Sequence, residues 1–255
     1  MKIALYGATG FVGSRIVLEA LSRDHLVTAI SRRLDRSSPA GSAVGPATPS
    51  FESSPASAVT GASGATPGSE SMPTFPPLGA PPGPTAAPTP AGLRVRRGDA
   101  AEPIDVARVA AEHDVVVSAI SPSRTGQRHQ IFLHALSVLA ENVGTRRLVV
   151  VGGSGSLQVA PGLRLMDMPG FSPRNLPEAI THVAALELLR DTGALVDWLY
   201  VSPAPAIGPG ERTGRYRIGK DEVVGDWVSV EDFAVAIVDE LEVPRYRRTR
   251  IHVAH

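Results

Sequence analysis

KIALYGATGFVGSRIVLEALSRDHLVTAISRR, residues 2–33, holds the pattern from which the rest of the chain is read. Residues 2–6 form an apolar run of strand length. Glycines follow at positions 7, 10 and 13, then an amphipathic stretch over 11–22 and a second apolar run at 26–30. Strand, glycine turn, helix and strand make a β-α-β unit. Within it, Gly7 permits the tight turn, Gly10 leaves room for a pyrophosphate to approach the backbone, and Gly13 lets the helix pack close to the sheet. The first turn of such a helix points free N–H groups at an anion. Gly7, Thr9, Gly10, Phe11, Val12 and Gly13 are therefore the primary candidates for holding a dinucleotide.

The end of the second strand distinguishes NAD from NADP, because a carboxylate there accepts from the ribose hydroxyls whereas arginine neutralises a 2′-phosphate. Here it reads Ser31-Arg32-Arg33, with no acid until Asp35. Arg32 and Arg33 thus favour NADP(H) over NAD(H).

Past this unit the pattern breaks. Residues 37–92 contain 13 of the chain's 23 prolines and 8 glycines, with Glu52 and Glu70 as their only charges. So little apolar surface cannot offset the entropy of ordering, and the segment reads as a disordered insert. Expanding a loop from about ten residues to 56 adds only about 1.5 kcal/mol of closure entropy, so the fold can carry it. It is either a tolerated expansion or a tail through which a protein partner binds.

Outside the insert, apolar runs at 2–6, 26–30, 93–96, 114–119, 147–151, 197–202 and 250–253 alternate with helical stretches. These lie at 11–22, 103–112, 126–142, 177–192 and 230–242. That alternation predicts an α/β fold, a Rossmann-type doubly wound parallel sheet with a small C-terminal substrate lobe. Residues 1–36 and 93–255 are expected to form one domain.

Composition excludes several alternatives. Twenty-five basic residues balance 25 acidic ones and are scattered along the chain, which argues against a nucleic-acid or polybasic membrane surface. With no cysteine, disulfides and thiolate chemistry are absent. His252-x-x-His255 lacks the helix and carboxylate of a zinc site, and neither a G-x-S-x-G elbow nor a P-loop occurs. The first strand leaves no room for a signal peptide and no run reaches membrane-spanning length, so a soluble cytoplasmic protein is expected.

Taken together, GATGFVG at 7–13, Gly98-Asp99, VVVSAISP at 115–122, VVVGGSGSL at 149–157, YVSP at 200–203 and WVSVEDFAVAIVDEL at 227–241 resemble a known family. It is the atypical short-chain dehydrogenase/reductases of the NmrA-like, NAD(P)H-binding type, which include flavin and biliverdin reductases. The likeness covers nearly everything outside 37–92. It implies that Asp99 meets the adenine amino group with Ala100 beside it. Ala119, Ile120 and Ser121 would follow the ribose and pyrophosphate, and Ser202, Pro203 and Ala204 would line the nicotinamide. Asp99 could instead cap a helix, and Ala119 and Ile120 could simply close a buried strand.

Typical short-chain dehydrogenases protonate a carbonyl with the Tyr of a Tyr-x-x-x-Lys helix. Here 176–190 contains neither residue, and Lys2 and Lys220 are the only lysines. Tyr216-Arg217-Ile218-Gly219-Lys220 satisfies the spacing but sits among turn glycines, and we read it as coincidence. The catalytic candidates are Ser154, which the resemblance puts beside the nicotinamide, and His182, which would titrate near neutrality and donate a proton. Either could also be an ordinary turn or surface residue.

Hydride transfer to a flavin or quinone needs stacking more than a dedicated acid, since water can supply the proton. The expectation is an NAD(P)H-dependent oxidoreductase acting on a small planar acceptor. The apolar, turn-prone segment 163–175 would be its lid, although ordinary loop packing would also account for that stretch. The alternative is a non-catalytic redox sensor of NmrA type.

Overall fold

The computed structural model describes residues 1–32, 90–122 and 129–255. Twelve strands and five helices appear among them in chain order. They begin β1 (Lys2–Tyr6), α1 (Phe11–Ser22), β2 (Leu26–Ser31), β3 (Leu93–Arg97), α2 (Pro103–Glu112) and β4 (Val115–Ser118). Next come α3 (His129–Asn142), β5 (Arg147–Val151), the short strands β6 (Gln158–Ala160) and β7 (Leu163–Arg164), α4 (Leu176–Asp191) and β8 (Trp198–Pro203). The chain closes with β9 (Ala206–Gly208), β10 (Arg217–Gly219), β11 (Trp227–Ser229), α5 (Val230–Glu242) and β12 (Thr249–Ala254).

Eight strands form one sheet in the order β10-β12-β8-β5-β4-β1-β2-β3. Every neighbouring pair is parallel except β10 with β12. Because side chains alternate across a strand, Ile3 and Leu5 enter the core shared with α1 and α5, while Ala4 and Tyr6 enter the core shared with α2, α3 and α4. Leu199 and Val201 divide from Trp198 and Tyr200 in the same way. Helices therefore cover both faces, and the order reverses between β1 and β4, the place where an open α/β sheet leaves a crevice.

The long elements match the sequence expectation to within a residue or two at each end. Helix α3 begins at His129, and positions 126–128 of the expected helix lie outside the described residues. So does nearly all of the expected insert. Its last three residues belong to the fold: Gly92 has φ +85°, and its carbonyl accepts from Val27 N at 2.8 Å, starting the pairing of β2 with β3. Helix α5 starts at Val230 because Ser229 Oγ accepts from Asp232 N at 3.0 Å, an N-cap bond that cuts Trp227–Ser229 away as β11.

Side chains tie the segment between β9 and α5 to α1 and α5, and those two helices to each other. Arg212 bonds Glu19 at 2.7 and 2.8 Å, Arg15 reaches Glu231 at 3.0 Å, and the buried Asp232 carboxylate accepts from Gly214 N at 2.7 Å. No helix among the described residues is long and apolar enough to cross a membrane.

Candidate functional site

The turn after β1 is dictated by backbone crowding. Gly7 has φ +80°, and a Cβ there would lie 2.5 Å from Ala119 O; a Cβ on Gly13 would lie 2.1 Å from Gly7 O. Gly10 differs, since its nearest neighbour would be Gly7 O at 3.2 Å and the cleft lies open beside it. Space is thus kept where a phosphate would need it. Helix α1 has no side-chain cap and no acid in its first turn, so its N-terminal N–H groups and dipole have no anion of their own. These features fit a dinucleotide diphosphate.

A cleft of about 870 Å³ opens from this turn. One wall consists of strand ends, with Gly10, Phe11 and Val12, then Ala119 and Ser121, then Pro203 and Ala204. The other comes from the loop after β5 and from 159–175, including Leu165, Met168, Pro169 and Phe171. The expected lid segment does line the cleft. Its position between β5 and α4 moves much of this wall forward from the C-terminal third, where a substrate lobe is expected from the sequence.

The loop Gly152-Gly153-Ser154-Gly155 is shaped by side chains. A Cβ on Gly152 would meet the Tyr200 ring at 2.0 Å, one on Gly153 the His182 ring at 2.7 Å, and one on Gly155 the Ala179 Cβ at 2.6 Å. Tyr200 OH anchors it, accepting from Gly153 N at 3.3 Å and donating to His182 O at 3.1 Å, with His182 Nδ1 3.0 Å away. A single assignment satisfies all three, with Nδ1–H donating to the phenol oxygen. Burial raises the Tyr200 phenol pKa far above its usual value. Ser154 Oγ, on this anchored loop, lines the cleft and has no hydrogen-bond partner among the described residues.

His182 departs from expectation. It borders the cleft but is only 5% exposed, and burial, assisted by nearby His129, lowers its pKa to about 4. It is a neutral ring at physiological pH, so it is not the near-neutral proton donor that its sequence position implied. Tyr216 is no substitute, because its hydroxyl donates to Asp239 away from the cleft and its pKa is pushed up to about 12 by burial and that carboxylate. The two C-terminal histidines are likewise engaged separately, His252 buried on β12 and His255 bonded to Asp232 at 3.0 Å.

Other expected residues divide. Ser202 is fully buried with its Oγ unpartnered, because alternation on β8 points it into the sheet face that holds Tyr200; it does not line the cleft. Ile120 packs against the α2–α3–α4 core and Ala100 is buried in it, so neither side chain reaches the cleft. Thr9 is exposed on the turn but outside the cleft lining. Asp99 Oδ1 accepts from Ala101 N at 3.0 Å, a local turn bond, while the half-buried residue also faces a second hollow of about 440 Å³.

That hollow collects Arg32 from the end of β2, Arg97 from the end of β3 and Arg108 from α2 beside Gly98 and Asp99. Register brings them together, since Ser31 pairs with Arg97. None of the three arginines has an ion-pair partner among the described residues, whereas neighbouring Arg96 is held by Asp105 and Glu112 at 3.3 and 3.1 Å. Arg33 lies outside the described residues. Sequence reading missed Arg97 and Arg108 because strand register, not spacing, puts them beside Arg32.

The sequence profile of the NAD(P)H-binding family matches residues 83–244. The chain belongs to that family. The match begins after the Gly7–Gly13 turn, but β1 pairs with β4 and β2 with β3, which makes that turn part of the same sheet. YwnB of Bacillus subtilis, a protein of uncharacterised function, is 40% identical over 153 residues, covering 55% of this chain and 70% of its own. A Burkholderia pseudomallei structure provisionally described as an exported protein is 33% identical, with a TM-score of 0.71 over all of both chains. A Streptococcus pneumoniae structure provisionally described as an NADH-flavin reductase shares the fold at 24% identity, with a TM-score of 0.72 over all of this chain and 99% of that one.

Proposed function

We propose that this protein is an NADPH-preferring oxidoreductase that reduces a planar acceptor such as a flavin or quinone. The observation that carries the reading is the joining of two surfaces in one cleft. The uncapped α1 N-terminus with its open Gly10 meets an apolar wall built by Leu165, Met168 and Phe171. The first surface is suited to a diphosphate and the second to a flat, poorly hydrated ring.

The dinucleotide would run from the hollow of Arg32, Arg97 and Arg108, across Gly10–Val12, to Ser154 and Pro203. Three arginines with no ion-pair partner among the described residues suit a 2′-phosphate, and this supports NADP over NAD. When bound, the reduced cofactor supplies a hydride, and one proton from water completes the two-electron reduction of the acceptor, leaving the oxidised dinucleotide. The chain's part is orientation and exclusion of water. Phe11 and Phe171 would confine the acceptor ring, and Ser154 Oγ would donate to the nicotinamide amide or an acceptor carbonyl. With His182 neutral and Tyr216 elsewhere, neither is poised to give a proton, which favours acceptors that take theirs from solvent.

Equilibrium titration with NADPH and NADH, followed by turnover with riboflavin, flavin mononucleotide and a naphthoquinone, tests this. NADPH should bind roughly tenfold or more tighter, as expected for a charge-assisted contact, and at least one acceptor should promote its oxidation. Tight binding with no turnover would make the protein a redox sensor instead; equal affinity for NADH would remove the 2′-phosphate assignment.

A further inference from the structure

The cleft, of about 870 Å³ and near the top of the roughly 300–1,000 Å³ range of small-molecule sites, extends past the strand ends to the wall formed by 159–175. Its charges are few. Among the described lining residues only Arg174 and Glu178 are ionised groups. Glu178 lies 4.0 Å from His182 Nε2 and has a further interaction of its own. Arg174, exposed at the end of the apolar wall, has no hydrogen bond or ion pair among the described residues. It belongs to the acceptor wall and not to the strand-end wall that the dinucleotide would follow, so the cofactor's phosphates do not account for it.

We propose that Arg174 selects acceptors bearing an anionic substituent, making the substrate class a planar ring with a phosphate, sulfonate or carboxylate arm. This rests on the reductase reading above. The ring would fill the slot of the cleft that Phe11, Met168 and Phe171 line, with its arm directed to Arg174 in the same lining. The planar fork of an arginine pairs with two oxygens of such a group. A neutral acceptor fills the slot but leaves Arg174 unpaired, so discrimination comes from the arm and not from the ring.

The test compares flavin mononucleotide with riboflavin, and a sulfonated with a plain naphthoquinone, for the full-length protein and its Arg174→Gln and Arg174→Lys variants. In the unmodified protein, kcat/KM with the anionic member of at least one pair should exceed that of its neutral counterpart by roughly tenfold or more. That ratio should collapse towards one in R174Q and be partly retained in R174K, with NADPH affinity serving as the check that each variant is folded. Ratios near one in both pairs, or ratios that survive R174Q, overturn the proposal. Should neither flavin nor quinone be reduced, the reductase reading fails. Arg174 is then judged by equilibrium binding of flavin mononucleotide and riboflavin to the NADP⁺ complex, read by flavin fluorescence. A preference lost in R174Q supports the anion contact, and no preference sinks it.

Discussion

The turn Gly7–Gly13 after β1 and the loop Gly152–Ser156 after β5 look alike in sequence, yet their glycines answer to different atoms. In the first, the forbidden Cβ positions run into backbone: Ala119 O for Gly7 and Gly7 O for Gly13. In the second they run into side chains, those of Tyr200, His182 and Ala179. Backbone crowding follows from the β-α-β geometry itself and recurs wherever that unit is built. Side-chain crowding depends on which residues α4 and β8 bring in, and a glycine-rich string alone does not record it.

Substitution at one glycine in each loop should separate the two cases. Gly13→Ala puts a Cβ 2.1 Å from a carbonyl oxygen that no rotamer change can move. We expect a loss of more than about 3 kcal/mol and of NADPH binding, with no single compensating mutation. Gly152→Ala meets only the Tyr200 ring, and should cost about 2 kcal/mol in the native background. In a Tyr200→Leu background the same change should be nearly free. Denaturant unfolding of the four combinations measures the coupling; if G152A costs as much without the Tyr200 ring as with it, the loop is shaped by backbone after all.

Legibility in the sequence follows the same division. The seven longer strands, the helices and the dinucleotide turn were readable because periodicity and glycine spacing are local signals. The strands β6, β7, β9, β10 and β11 were not, because two or three residues carry no period and are fixed by tertiary pairing. The Ser202 side chain is turned away from the cleft by the face of β8 it occupies, a fact the local sequence does not record. His182 borders the cleft, but burial decides its protonation and is invisible in its neighbours along the chain. Arg97 and Arg108 join Arg32 only through the pairing of β2 with β3.

The buried post of the second loop has a pH signature that the first loop lacks. His182 has a folded pKa of about 4, against an ordinary value near 6.5, so the unfolded chain binds the extra proton between these values. Stability from this group is complete above about pH 6.5 and is lost progressively as the pH falls towards 4, by on the order of 3 kcal/mol. His252, also buried with a lowered pKa, adds to the same trend. Urea unfolding at pH 7 and pH 4.5 should therefore show a drop that is smaller in His182→Asn, whereas an unchanged drop would place the titration elsewhere. Because His182 stays neutral above pH 5.5, turnover should show no inflection near 6.5 that this substitution removes.

Ser154 should give the smallest effect on the fold and the clearest one on function. Its Oγ has no partner among the described residues, so Ser154→Ala breaks no internal bond and should change stability by less than about 0.5 kcal/mol. If the hydroxyl donates to a bound ligand, kcat/KM should fall roughly two- to thirteen-fold, the size of one ordinary hydrogen bond. Where the loss appears says which ligand it touches. A weaker NADPH affinity with unchanged kcat assigns it to the nicotinamide amide, and a loss confined to kcat with some acceptors assigns it to their carbonyls. No change in any of these would leave the Gly152–Ser156 loop as a wall shaped by Tyr200, with the hydride transfer steered by the apolar surfaces alone.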